Sequence, residues 1–235
     1  DACNVPTDKH RLEMKTECTI RSAFFSGKRR YAQYITKKEG VPCNEIDVKA
    51  LDFKKSNFPP LFRTFFEEIL HKILFGATRE EIDKEILAFK ESLKDIDFVE
   101  ISKPTGVKNV KKYTGLPASA DCIFSEFENK APVGVKAAVR YNDLLKFKNL
   151  DRKHTQIVEG DKIKWVYLRD NPYKIDTMGF LDFDLPLPIR KFIEEYVDIP
   201  RSFDTILKNK LESFYQDLGW GNLTLNTYVQ QFFKF

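Results

Sequence analysis

Residues 45–76 read EIDVKALDFKKSNFPPLFRTFFEEILHKILFG, and the hydrophobic period changes once along that stretch. In its first part Ile46, Val48 and Ala50 alternate with Glu45, Asp47 and Lys49, the two-residue period of a half-buried strand. Past Pro59-Pro60 the apolar positions are Leu61, Phe62, Phe65, Phe66, Ile69, Leu70, Ile73 and Leu74, a wide helical stripe closed by Gly76. A strand-rich start therefore gives way to a mainly helical remainder, and the expected class is α+β.

Upstream, residues 28–36 (KRRYAQYIT) are rich in aromatic and β-branched residues and predict a strand, while residues 10–20 alternate loosely. Gly40, Pro42 and Asn44 mark a turn before the strand at 45–53. Downstream, Thr78 and Glu81 form a capping box, and Ile82, Ile86, Phe89 and Leu93 continue one helical face. Two helices with so short a joint predict an antiparallel helical hairpin, followed by a short strand at 98–101. Residues 102–131, with Lys103, Lys108, Lys111 and Lys112, read as a basic loop. Helical spacing returns at 132–147. A hairpin is expected at 157–168 around Glu159-Gly160-Asp161, and further helices at 189–196 and 202–218. Asn222 onward is NLTLNTYVQQFFKF, an aromatic stretch that either docks on its own domain or anchors a partner.

The chain has 235 residues, 42% of them hydrophobic and 31% charged, enough apolar material for a sizeable core without metal or disulfide staples. No run approaches the roughly 18 apolar residues of a membrane span, so none is expected. No signal peptide is visible and no initiator Met is present, which suggests a piece of something longer. The net charge of +4 is too small to argue by itself for a nucleic-acid partner; position matters more. Cys3, Cys18, Cys43 and Cys122 lie too far apart for a C-x-x-C motif and are expected to be reduced, and His10, His71 and His154 are equally scattered. No Cys/His metal site is expected. The 21 Phe and 9 Tyr are expected mainly in the core.

The stretch GKRRYA (27–32) puts three basic residues in succession on the expected strand, so that Arg29 and Tyr31 share one face and Lys28 and Arg30 the other. Such a pair suits a duplex backbone or minor groove, where phosphate and sugar contacts set register without reading sequence. Basic residues also protect solvated edge strands, and spacing alone leaves both readings open.

Residues 11–40 (RLEMKTECTIRSAFFSGKRRYAQYITKKEG) followed by 47–61 (DVKALDFKKSNFPPL) resemble the end of the palm in family B DNA polymerases, closest to the replicative polymerases of tailed bacteriophages. Arg29-Arg30-Tyr31 matches the family's Lys-x-Tyr strand, and Lys49-Ala50-Leu51-Asp52 the later strand that precedes a proline-opened helix. Residues 131–142 (APVGVKAAVRYN) resemble a thumb helix, placing Lys136 near the backbone, and 166–176 (VYLRDNPYKID) the thumb's Leu-Arg-x-x-Asn-Pro loop. The aromatic tail resembles a clamp-binding peptide through Asn226, Val229, Phe232 and Phe233, a polar anchor, an aliphatic residue and an aromatic pair.

The resemblance implies a palm segment at 1–57, a thumb at 58–221 and a clamp-binding tail at 222–235. It implies minor-groove contacts by Arg29 and Tyr31 with the primer–template duplex, where acceptors are similarly placed in all correct pairs, a second minor-groove or backbone contact by Lys49, and a DNA contact by Lys28. Lys108, Lys111, Lys112 and Lys136 would meet phosphates of the duplex, although a solvated loop explains the first three equally well. The family's palm aspartates hold two metal ions, but no Tyr-Gly-Asp-Thr-Asp-Ser-type motif occurs here. No catalytic residue or metal ligand is therefore expected in this chain. It should bind no cofactor, with Mg2+ belonging to the complete polymerase, and should be inactive without a partner carrying those aspartates. The look-alike Asp182-Phe183-Asp184 is expected to be an ordinary turn. Two departures stand out: Arg29 replaces the usual Lys with a planar fork of donors, and Asn226 stands where many clamp boxes have Gln. The implied setting is the cytoplasm of an infected bacterial host.

The alternative is a stand-alone, non-catalytic DNA- or clamp-binding module, and a third reading is a structural protein with a solvated basic edge. A polymerase portion should leave Leu12, Met14, Ile20, Phe24 and Phe25 open to a missing half, whereas an independent module should bury them.

Overall fold

Alternation in the N-terminal sequence produces three antiparallel strands in the computed structural model, which describes residues 15–115, 118, 123–128, 130–223 and 225. Strands β1 (Cys18–Gly27), β2 (Arg30–Lys38) and β3 (Val41–Lys49) pair in the order β1-β2-β3. The register Phe24↔Ala32↔Val48 and Phe25↔Tyr31↔Lys49 assigns these rows to opposite faces. Phe24, Ala32 and Tyr34 are buried, while Phe25 and Lys49 are exposed.

Both hairpin turns are tighter than the sequence spacing suggests. Lys28 and Arg29 form the first turn, so the strand expected from Lys28 begins at Arg30, and Arg29 and Tyr31 do not alternate along one strand. The reason is backbone geometry: Gly27 and Arg29 adopt positive φ (151° and 65°), which a regular strand excludes. The second turn is Glu39-Gly40, with φ of 50° and 84°, the pair of left-handed residues that matches strand twist in a two-residue hairpin. Pro42 and Asn44 consequently lie inside β3, where an edge strand tolerates proline.

The helical stripe becomes α1 (Pro60–Leu74), and the capping box opens α2 (Arg79–Ser92). Glu81 N donates to Thr78 Oγ1 at 3.4 Å, and Thr78 N donates to Glu81 Oε2 at 2.9 Å. Phe65 stacks on Phe89 at 3.8 Å and Lys72 pairs with Glu85 at 2.5 Å, the running order of an antiparallel pair. The strand expected at 98–101 is instead a single helical turn, α3 (Phe98–Ile101), because the Asp97 carboxylate accepts the Val99 N–H at 3.0 Å and caps it.

The basic stretch after it is ordered into β4 (Lys103–Gly106) and α4 (Val110–Tyr113). β4 pairs with β5 (Lys162–Tyr167), and β5 with β6 (Thr177–Phe180), a second antiparallel sheet within the mainly helical portion. No hairpin forms around Glu159-Gly160-Asp161. The Asp161 carboxylate accepts the Val158 N–H at 2.7 Å, and the Asn142 side chain takes the Ile157 N–H at 2.8 Å, so that backbone is satisfied locally. The link from β5 to β6 is instead organised by Asn171. Its amide donates to the carbonyls of Arg169 and Ile175 at 2.7 and 2.6 Å, and its oxygen accepts the Tyr173 N–H at 3.1 Å.

Helix α5 (Val133–Phe147) lies against β6, where a Cβ added to Gly179 would stand 2.9 Å from the Ala137 carbonyl oxygen. After α6 (Leu187–Tyr196) comes α7 (Ile199–Ser202), which runs through a π-helical stretch (Phe203–Lys208) into α8 (Asn209–Asp217). No helix among the described residues is long and apolar enough to cross a membrane.

One core joins the first sheet to the helices. Phe24 of β1 meets Phe214 of α8 at 4.1 Å, Phe214 meets Phe66 of α1 at 5.3 Å, and Phe66 stacks on Phe53 at 4.8 Å. Ser22 Oγ donates to the Leu74 carbonyl at 2.5 Å, fixing the sheet to the end of α1. Replacing Phe214 with Ala removes the central ring; chemical denaturation should show about 3–5 kcal/mol lower stability, and Phe214→Leu a smaller loss.

Candidate nucleic-acid interface

The outer face of the first sheet is built from side chains that the antiparallel register sets in rows. Phe25, Tyr31 and Lys49 form one row across three strands, and Ala23, Gln33 and Asp47 form the next. Phe25 is 64% exposed and its ring lies 6.1 Å from that of Tyr31. Gln33 Nε2 donates to Asp47 Oδ2 at 3.2 Å. Partial burial and the Asp47 charge raise the Tyr31 phenol above its ordinary pKa, so its hydroxyl remains a donor.

Of the candidates suggested by sequence, the fold brings Tyr31 and Lys49 directly opposite each other. It places Lys28 and Arg29 at the adjoining hairpin tip, both exposed. Arg29 holds a φ of 65°, a region in which a non-glycine residue costs about 1–2 kcal/mol relative to right-handed backbone.

Lys108, Lys111 and Lys112 are exposed on and before α4, and Lys136 is half-buried on α5. They form a second group on the helical portion. Other basic residues, not singled out as candidates from sequence, gather around Asp52 and β4. Asp52, just beyond β3, carries three of them: Lys55 at 2.6 Å, Lys210 at 2.6 Å and Arg30 at 3.8 Å. The Arg30 Nε is buried without a hydrogen-bond partner among the described residues. Lys103 on β4 sits 5.8 Å from the centre of the Trp165 ring; its pKa is lowered by burial and then by the charge of Lys210. Ser56, Asn57, Thr105 and Lys162 line a cleft nearby. Lys210 lies 158 residues beyond Asp52, and no local pattern announces that contact.

The carboxylates of this region are committed to structural partners. Hydrogen bonds from Lys210 and Lys55 hold the Asp52 carboxyl down at about 2. Asp182 pairs with Lys164 at 2.7 Å, while Asp184 accepts from the Thr155 N–H and meets His154 Nδ1, both at 2.6 Å. Residues 182–184 therefore belong to the turn expected there, pinned on both sides. Among the described residues no group of three or more His, Cys, Asp or Glu could hold a metal ion. Cys18 and Cys43 are free thiols.

The face intended to distinguish a polymerase portion from an independent module is divided. Phe24 is 4% exposed against Phe214, whereas Ile20 and Phe25 remain 39% and 64% exposed. Leu12 and Met14 lie outside the described residues, as do the clamp-box positions Asn226, Val229, Phe232 and Phe233.

No protein-family model and no curated protein matches this sequence.

The Asp52 carboxyl is more acidic in the folded chain than its ordinary 3.8, so its contribution is present above pH 4 and lost as pH falls towards 2. Asp52→Asn should lower stability at neutral pH by about 1 kcal/mol, allowing for solvent screening, and flatten the acid limb over that window. Urea midpoints at pH 7, 4 and 2.5 would measure this; parallel curves for the two proteins would contradict it.

Proposed function

We propose that this chain is the C-terminal palm and thumb portion of a phage-type family B DNA polymerase, either a fragment or a split subunit. In this reading it grips the primer–template duplex behind the point of synthesis and is tethered to a sliding clamp by its aromatic tail. The observation that carries the reading is the row of Tyr31 opposite Lys49 on an open sheet face, with Lys28 and Arg29 at the adjoining hairpin tip.

The physical basis is a division of labour among donors. Arg29 and Lys49 supply positive charge to a duplex that carries one negative charge per about 1.7 Å of axis. The Tyr31 hydroxyl is a neutral donor suited to minor-groove acceptors, which are similarly placed in every correct base pair and displaced in a mismatch. Lys103, Lys108, Lys111, Lys112, Lys136 and Lys210 then extend phosphate contacts over the helical portion. Contacts of this type fix register without reading sequence.

This chain does not itself carry out nucleotide transfer in this reading. Two metal ions would neutralise the triphosphate, but the residues here do not fit them. Asp52 is already neutralised by Arg30, Lys55 and Lys210. A partner supplying the palm aspartates is required, and the exposed Ile20 is suited to meet it. The buried Phe24 favours the second reading, a stand-alone non-catalytic DNA- or clamp-binding module.

The deciding experiment is titration of the chain with a primer–template duplex at low and moderate salt, comparing wild type with Arg29→Ala/Tyr31→Ala and with Lys49→Ala. The double variant should bind about tenfold or more weakly. Each lost phosphate contact should reduce the slope of log K against log salt by about 0.9. Binding that is absent, or indifferent to all three residues, would sink the assignment and leave the hairpin tip a solvated turn.

A further inference from the structure

One arginine holds the turn that leads into α1. Phe58 N donates to the Lys55 carbonyl at 3.1 Å, closing a turn with Ser56 and Asn57 at its tip. Arg63 of α1 donates from Nε to the Phe53 carbonyl at 3.1 Å, and from Nη2 to the Lys55 and Phe58 carbonyls at 2.9 and 3.2 Å. The buried side chains of Phe53 and Phe58 anchor the same segment in the core. Ser56 and Asn57 are thereby fixed in position yet exposed.

The turn faces β4 across an open cleft of about 500 Å³, lined by Ser56, Asn57, Pro104, Thr105, Gly106 and Lys162. Gly106 pairs with Lys162 of β5, and Thr105 lies so close to Gly134 of α5 that a Cβ there would stand 2.6 Å from Thr105 Cγ2. Among these lining residues Pro104 is the one apolar side chain, and there is no carboxylate. The acids nearest to Lys162 in sequence are engaged with backbone: Glu159 accepts the Asn109 N–H at 3.1 Å and Asp161 the Val158 N–H at 2.7 Å. Neighbouring lysines are neutralised, Lys55 by Asp52 at 2.6 Å and Lys164 by Asp182 at 2.7 Å. Among the described residues Lys162 has no such partner, and the side chains of Ser56, Asn57 and Thr105 make no hydrogen bond.

We infer that this cleft is a phosphate seat, in which Lys162 supplies the charge and Ser56, Asn57 and Thr105 donate to the phosphate oxygens. An unpaired ammonium in a cleft without acids favours an anion, and an ammonium serves a phosphate as a point charge. Two hydroxyls and an amide complete the donor set. They arrive from three chain segments, the turn before α1, β4 and β5, which suits a tetrahedral group better than a planar carboxylate. The near absence of apolar lining disfavours a hydrophobic ligand, and the volume leaves room beside the phosphate for the group that carries it. That carrier is either a nucleic-acid strand, through its phosphodiester, or a free phosphate compound; the chemistry at the seat is the same. The seat shares no residue with the Tyr31–Lys49 row, and it holds whether or not the chain belongs to a polymerase.

Amide NMR of the full chain, titrated with inorganic phosphate at fixed ionic strength, tests the seat. The Ser56, Asn57, Gly106 and Lys162 resonances should shift to saturation, those of Leu144 and Ile193 should stay fixed, and chloride should move none of them. Lys162→Ala/Thr105→Val should weaken phosphate binding about tenfold or more, since it removes the charge and one hydroxyl donor. Should that variant lose its folded spectrum, Lys162→Ala/Asn57→Ala, both at exposed positions, takes its place. A short single-stranded oligonucleotide added to the phosphate-loaded chain separates the sources. Displacement of phosphate identifies a nucleic-acid backbone as the occupant, and retention identifies a free phosphate compound; either outcome keeps the seat. Cleft resonances that do not saturate with phosphate, or an affinity unchanged in the double variant, would overturn the inference. Arg29→Ala/Tyr31→Ala should leave phosphate affinity unchanged, so failure at the sheet face and failure at the cleft are distinguishable.

Discussion

The ring of Phe214 holds the two halves of this structure together. It contacts Phe24 from the sheet and Phe66 from the first long helix, and through Phe66 it reaches Phe53 at the junction between them. A three-stranded sheet with one apolar face is marginal in water by itself and needs a layer against that face. Here that layer comes from α1 and α8, far apart in sequence. Aromatic pairs in tilted and edge-on geometry add about 0.5–1.5 kcal/mol each beyond area burial. The inner face is thereby consumed, and the outer face keeps Phe25 and Lys49 exposed. Because the register is antiparallel and the side-chain period is two, seating Phe24 inward is the same event as turning Phe25 and Tyr31 outward.

That coupling also explains the arrangement of charge. Asp52 follows directly from the sheet and is reached by Arg30 across it and by Lys210 from α8. The carboxylate offsets some of the repulsion that would arise from bringing Arg30, Lys55 and Lys210 together, while their number still leaves the site positive. Lys103 lies over the Trp165 ring, and burial, then the charge of Lys210, lowers its pKa.

How much of this the sequence carried depends on the range of the interaction. The period switch around Pro59-Pro60, the capping box at Thr78 and the stripe of α5 depend on neighbours a few residues away, and they fold as their pattern indicates. Local signals failed where backbone geometry or a distant partner decided. Arg29 reads as a strand residue by composition but sits in a turn because its φ is positive. Residues 98–101 look β-like, yet the Asp97 cap makes a helical turn of them. The lysines of the supposed loop hide β4, whose strand identity comes from pairing with β5, far along the chain. In the candidate site, Tyr31 was singled out from its basic stretch and Lys49 through the resemblance, and their pairing lies within one local meander. Arg30, Lys103 and Lys210 were not, since their significance arises only after α8 has packed on the sheet.

The π-helical stretch at Phe203–Lys208 shows how one segment serves both ends of the molecule. A regular helix advances its apolar face by a fixed angle, and a wider turn resets that angle once. Phe203, Ile206 and Leu207 are buried within the stretch, with Phe203 under Lys90 near the end of α2; Leu211, Phe214 and Tyr215 are buried after it. Phe214 then reaches the sheet while Tyr215 turns to Asp83 of α2. The wider turn thus lets a single helical run place Phe203 near the end of α2 and close the sheet's inner face with Phe214.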